Sequence, residues 1–167
     1  MKKLILLVLI ASLGALTVLL AAPENPIDLT AIVKKTDAQS VLGEAVKDAQ
    51  SRNGDGADGY YSRCNYYSEN PGKSLILRVR QAAPGQIEPQ KELEMLSAGN
   101  GKIKPLSGVG EKAALLREGA ESGGARSLML YVTKGKAFVT VGIGGMSDEK
   151  AAMEKAKAIA RKILGQL

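Results

Sequence analysis

The sequence predicts an α+β domain, an antiparallel β-sheet with helices packed on it, preceded by an N-terminal hydrophobic helix. Three observations carry this reading. Residues 127–133 and 137–143 are two strand-like runs rich in Leu, Val and Ile, joined at Lys134-Gly135 in the manner of a hairpin. Residues 74–81 alternate Leu75, Leu77 and Val79 with Ile76, Arg78 and Arg80, the period-two pattern of a half-buried antiparallel strand. At the C-terminus Ala152, Ala156, Ile159, Ala160, Ile163 and Leu167 recur at helical spacing. Their small alanines suit close packing on a sheet.

In chain order, residues 4–22 carry no charge and follow Met1-Lys2-Lys3. A helix of that length rises roughly 28 Å, close to the hydrocarbon thickness of a bilayer. The two lysines suit the inner end of an export segment. Cleavage after Ala22 would place Leu20 three residues before the cut, and cleavage after Ala21 would place Leu19 there. Both put a bulky leucine where a small residue is wanted. The expectation is therefore a retained single-pass anchor, with a cleaved signal peptide as the main alternative and a buried core helix as a third. Pro23 stands where a lipid-bearing cysteine would follow Leu20-Ala21-Ala22, which argues against lipid attachment by that route. In both leading readings the domain is exported and faces the far side of the cytoplasmic membrane.

Residues 23–26 read as a short linker and residues 27–167 as a single globular domain, a length that buries one core. Thr36-Asp37-Ala38-Gln39 has the form of a capping box, so a helix is expected from there. Propensity would carry it to Ser51, while Gly43 offers an earlier stop. Residues 53–59, Asn-Gly-Asp-Gly-Ala-Asp-Gly, are expected to form a flexible loop. A tyrosine-rich strand follows over residues 60–68, with Tyr60, Cys64 and Tyr66 on one face and Tyr61, Arg63 and Tyr67 on the other. Glu69-Asn70-Pro71-Gly72 turns the chain into the strand at 74–81, which Pro84-Gly85 ends. Residues 88–98 form a helix with Leu93 and Leu96 inward and Gly99 as its stop; short strands are expected at 103–106 and 113–117. After the hairpin, residues 142–145 break the strand. Ser147 is expected to cap the final helix to Leu164, with Asp148 and Glu149 at its start and Arg161 and Lys162 at its end complementing the helix dipole.

Composition excludes more chemistry than it supplies. With no histidine, the commonest general base and metal ligand is missing. One cysteine allows neither an intramolecular disulfide nor a cysteine-built zinc site, and Cys64 is expected to be buried. One Phe and no Trp argue against a sugar- or base-stacking platform. The net charge is +6, of which Lys2 and Lys3 contribute two, and it is dispersed instead of forming a nucleic-acid stripe. No nucleic-acid partner, cofactor or metal is expected.

The apparent motifs fail on spacing or context. Gly142-Ile143-Gly144-Gly145-Met146-Ser147 lacks the third glycine of a dinucleotide loop, and Asp148 and Glu149 would repel a pyrophosphate. Gly108-Val109-Gly110-Glu111-Lys112-Ala113 follows Pro105 where a strand is required. Gly72-Lys73-Ser74 is followed by a strand where a phosphate-binding loop needs a helix. Ser147-Asp148-Glu149-Lys150 fits S-x-x-K without its companion motifs. Asn53, Asp55 and Asp58 offer oxygens to calcium, yet Asp58 and Cys64 occupy the glycine and bidentate glutamate positions of an EF-hand. One constellation remains: Tyr61, Arg63 and Tyr67, with Arg78 and Arg80 beside them, form a possible aromatic and arginine interaction surface of the composition interfaces favour. Packing of the same tyrosines beneath a covering helix is the competing reading.

Several short segments resemble those of a group of small exported bacterial proteins, often lipoproteins, whose fold is similar to the PsbP-like α/β sandwich. They are Leu42-Gly43, Cys64-Asn65-Tyr66, Ser107-Gly108-Val109-Gly110-Glu111-Lys112-Ala113, Leu130-Tyr131-Val132 with Gly135, and Val139-Thr140-Val141 before a closing helix. The likeness implies an early helix ending at Gly43, against propensity, and supplies no catalytic residue. The lipid-bearing cysteine and a second cysteine to pair with Cys64 are both missing here. The expected protein is thus a non-catalytic envelope domain, not an enzyme, that binds a protein or cell-wall partner through its sheet. The alternative is a small extracytoplasmic hydrolase or anionic-ligand sensor using Ser147, Lys150 or the arginines.

Overall fold

Seven antiparallel strands form one open sheet in the computed structural model, which describes Pro23, residues 25–119 and residues 126–167. The strands are β1 (Gln50–Gly56), β2 (Gly59–Tyr67), β3 (Ser74–Ala82), β4 (Lys104–Leu106), β5 (Lys112–Glu118), β6 (Ser127–Lys134) and β7 (Ala137–Gly144). Their spatial order is β1-β2-β3-β7-β6-β5-β4, so two meanders meet where β3 pairs with β7. The helices are α1 (Leu29–Ile32), α2 (Lys35–Leu42), α3 (Pro89–Gly99) and α4 (Glu149–Leu164). The expected α+β architecture is present. Among the described residues no helix is long and apolar enough to cross a membrane, and the expected anchor at residues 4–22 lies outside the described residues.

The alternation of side chains sorts the two faces. Leu75, Leu77 and Val79 of β3 stand opposite Ile143, Val141 and Val139 of β7 and face the main core. Leu29, Val33, Ala38, Val41 and Leu42 cover it from the α1–α2 segment, and Ala152, Ala156, Ile159, Ala160 and Ile163 from α4. The other face carries a smaller cluster in which Leu93 of α3 packs with Ala114, Leu116, Phe138 and Ile103. Strand β7 is consequently buried at every position but Gly144, and its near-continuous apolar sequence follows from cover on both sides. The opposite holds at the rim, where every residue of β1 except Gly56 is exposed.

Most element ends follow local chemistry. Gly43 closes α2 in the left-handed conformation, as the family likeness implied, with its N–H donating to Gln39 O at 2.8 Å. Cys64 is buried and unpaired, as expected. The N-caps differ by a residue or two. Lys34 precedes α2, and Asp37, not Gln39, reaches back to its N–H at 2.7 Å. Asp148, not Ser147, caps α4, its carboxylate accepting from the free N–H of Ala151, three residues on, at 3.0 Å. Lys134 of β6 donates to Leu164 O and Leu167 O, satisfying carbonyls at the far end of α4. Helix α1, capped by Asp28, was not anticipated.

The expected loop at residues 53–59 is instead the body of β1 and a tight turn, paired without interruption from Gln50↔Asn65 to Gly56↔Gly59. Pairing with β2 satisfies the backbone and overrides the turn preference of Asn, Gly and Asp. Gly59 is needed there: at its φ of +149° a Cβ would stand 2.1 Å from Gln81 O.

Replacing Leu77, fully buried, by Ala is expected to cost about 2–5 kcal/mol in urea unfolding, whereas Met95→Ala at an exposed position should stay within about 0.5 kcal/mol. The acid limb of stability has named sources. The Thr30 hydroxyl bond holds Asp28 below its ordinary 3.8. Burial opposes ionisation of Asp37, but bonds from Lys162 and the Lys34 N–H outweigh it, and that carboxyl too lies below 3.8. Native carboxyls with lowered values bind fewer protons than unfolded ones, so their contribution is complete above pH 3.8 and is lost as pH falls through the lowered values. Urea midpoints measured from pH 6 downward should fall least steeply in an Asp28→Asn, Asp37→Asn double variant.

Candidate functional site

On the face opposite the main core, cross-strand register lines up Arg52 of β1, Arg63 of β2 and Arg78 of β3, followed by Thr140 of β7 and Tyr131 of β6. Directly opposed side chains on neighbouring strands have Cβ atoms about 4.5–5.5 Å apart, and like charges so placed repel. All three arginines are exposed. Among the described residues none of them takes part in an ion pair or a side-chain hydrogen bond; the ion pairs there all use other cations. Helix α3 covers the β5–β6–β7 side of this face and leaves the β1–β2–β3 side open.

The flanking rows line the open area. Asn65, Ile76, Gly142 and Met129 run on one side of the arginines; Gly54, Tyr61, Arg80 and Phe138 run on the other. Asn65 and Tyr67 are half-buried, and Asn65 Nδ2 donates to the Tyr67 hydroxyl at 3.4 Å. Asn65 Oδ1 is buried without a hydrogen-bond partner among the described residues. The Arg63 guanidinium lies 5.6 Å from the centre of the Tyr61 ring, within cation–π range. The Tyr61 hydroxyl donates to Asp58 Oδ1 at 2.8 Å, and burial, reinforced by that bond, pushes its phenol up. Burial likewise raises Tyr131, with Glu118 adding to the rise and Arg78 opposing it.

Of the five residues singled out from sequence, the structure brings Tyr61, Arg63, Tyr67 and Arg78 to this open face. Arg80 shares the face but not its exposure. Only 4% accessible, it donates through Nε to Glu92 Oε2 at 3.0 Å, through Nη1 to Asp58 O at 3.2 Å and through Nη2 to Ile87 O at 3.0 Å. Its charge therefore fastens α3 and the β1–β2 turn to the sheet. Met95, 59% exposed, follows Glu92 by three residues, a spacing that puts the two on one side of α3. Arg52 is hidden in the sequence because it falls between a helix propensity that ends at Ser51 and residues 53–59, whose composition suggests a loop. The glycines flanking Ala57-Asp58, which make a two-residue hairpin turn, were the signal available.

The other motifs find structural explanations. Gly145 has φ +78°, and a Cβ there would approach Gly72 O to 2.0 Å, so this glycine lets two turns touch. Ser147 precedes the cap of α4, outside the helical turn that S-x-x-K requires of its serine. Asp58 is held by Tyr61 and Arg80. Among the described residues no group of three or more His, Cys, Asp or Glu side chains is placed to hold a metal. The arrangement offers charge, aromatic surface and hydrogen bonds for recognition.

No protein-family model, curated protein or solved structure matches this chain.

Glu92→Gln weakens the charge-assisted bond to buried Arg80 and is expected to cost about 1–3 kcal/mol in urea unfolding. Arg78→Ala, which removes an exposed charge facing Arg63, should change stability by no more than about 0.5 kcal/mol, with relief of repulsion offsetting lost packing.

Proposed function

We propose that this chain is a non-catalytic binding domain, exported and held at the membrane by residues 4–22, which takes a protein or cell-wall partner on the open face bearing Tyr61, Arg63, Tyr67 and Arg78. The observation that carries the reading is the row Arg52, Arg63, Arg78 on three adjacent strands, exposed and without an acidic partner among the described residues. Three opposed guanidiniums cost stability unless an outside group supplies the counter-charge. Arginine and tyrosine are also the residues that interfaces favour. The lysines and uncharged run at the N-terminus support export, and the segments resembling PsbP-like envelope proteins support a domain that binds instead of catalysing.

The test is a pull-down from envelope extract with the full chain as bait. Tyr61→Ala with Arg78→Ala should lose a partner that the wild type retains, while the urea midpoint stays near its starting value. A partner held equally by the double variant would reject this face.

A further inference from the structure

The two edges of the sheet are built differently. β4 is three residues long, contains Pro105 and has Lys102 and Lys104 at its start, the usual protections against pairing with another chain. β1 has none of these. It runs seven residues without proline, lysine or bulge, its register with β2 is unbroken, and among the described residues no strand pairs with its outer side. Both of its faces are open to an approaching chain. An open edge of this kind is where extended peptides add as a further strand, main-chain bonds giving affinity and alternate side chains giving specificity.

β1 also ends the arginine row. A residue paired outside Arg52 lies on the same face as Arg52, Arg63 and Arg78, so a carboxylate there forms the opposite-charge pair the row lacks. On the reverse face β1 presents Ser51, Asn53 and Asp55, where Asn53 Oδ1 accepts from Ser62 Oγ at 2.8 Å and Asp55 disfavours a further acid. The added strand should therefore carry acids on alternate residues, with neutral polar residues between them. A second copy of this chain does not meet that need: Asp55 lies on the face opposite Arg52, so antiparallel pairing of two β1 edges brings no carboxylate to the row.

We infer that the partner is an extended acidic polypeptide segment that pairs with the outer edge of β1 and sets alternate carboxylates against Arg52 and its neighbours. This rests on the open face being the binding face and adds to it both the edge and the chemistry of the partner. The probe is a blocked peptide of about ten residues alternating Glu and Thr, titrated into the full chain in mild detergent. Its controls are the same residues arranged in two blocks and the alternating sequence with every backbone nitrogen methylated. The alternating peptide should bind and slow amide exchange across residues 50–56 by about tenfold or more; Arg52→Ala with Arg63→Ala, the block peptide and the methylated peptide should each bind about tenfold more weakly. Equal binding of the methylated peptide, or of a single-stranded oligonucleotide, would overturn strand addition by an acidic peptide while leaving the open face as a site for anions. Protection of residues 50–56 in the free chain, accompanied by a dimer in sedimentation, would overturn it in favour of a second copy. If no peptide binds while the pull-down still depends on Tyr61 and Arg78, this inference fails and the proposed face stands.

Discussion

The pairing of β3 with β7 governs the rest of the molecule. Leu75, Leu77 and Val79 meet Ile143, Val141 and Val139 on one face, while Arg78 and Arg80 are held on the other. Side chains alternate with a period of two, so a slip of one residue would turn both arginines into the main core and expose three of its largest members. Burial of that core fixes this register, which sets Arg78 against Thr140, and the β2–β3 and β1–β2 registers carry the line on to Arg63 and Arg52. The charged row is a by-product of apolar packing on the reverse side of the sheet.

Arg78 and Arg80 show how cover determines the role of a charge. They sit two residues apart on one strand and one face, yet Arg80 is sealed beneath the start of α3 with Glu92, Asp58 and two backbone carbonyls around it, and Arg78 faces solvent. A guanidinium tolerates such burial because its five donors reach several acceptors at once. Helix α3 is displaced towards β5 and β6, where Leu93 and Leu96 find Leu116, Phe138 and Tyr131. That displacement leaves β1 to β3 open.

Sequence reading succeeded where local signals were sufficient. The β6–β7 hairpin, the alternation of β3, the tyrosine faces of β2 and the stripe of α4 each follow from neighbours within a few residues. The hairpin turn itself is centred on Gly135-Lys136, one residue beyond the expected point, because Lys134 still pairs with Ala137. What stayed hidden depended on distant partners. β1 is strand only because β2 lies beside it; its own residues prefer turns. The burial of Arg80 depends on a helix that starts nine residues later in the chain and on Glu92, which period-two reasoning along β3 does not see. Helix α1 is short, and its main support is tertiary: Leu29 lies in the core and its N–H donates to Ser62 Oγ.

The division of the sheet into two meanders has a kinetic side. Within each meander, successive strands are joined by short or moderate connections, whereas joining β3 to β7 closes the long stretch between Ala82 and Ala137. Loop-closure entropy must be met before that contact returns any energy, which makes the seam the late event in assembly. Until it zips, β3 and β7 each present an unpaired apolar edge, the kind of surface on which partly folded chains aggregate. Helix α4, which packs on β6 and β7, follows both half-sheets in the chain and so leaves the ribosome after them. A chain interrupted before Glu149 would carry both half-sheets with β6 and β7 bare on the side of the main core and only the α1–α2 segment packed there.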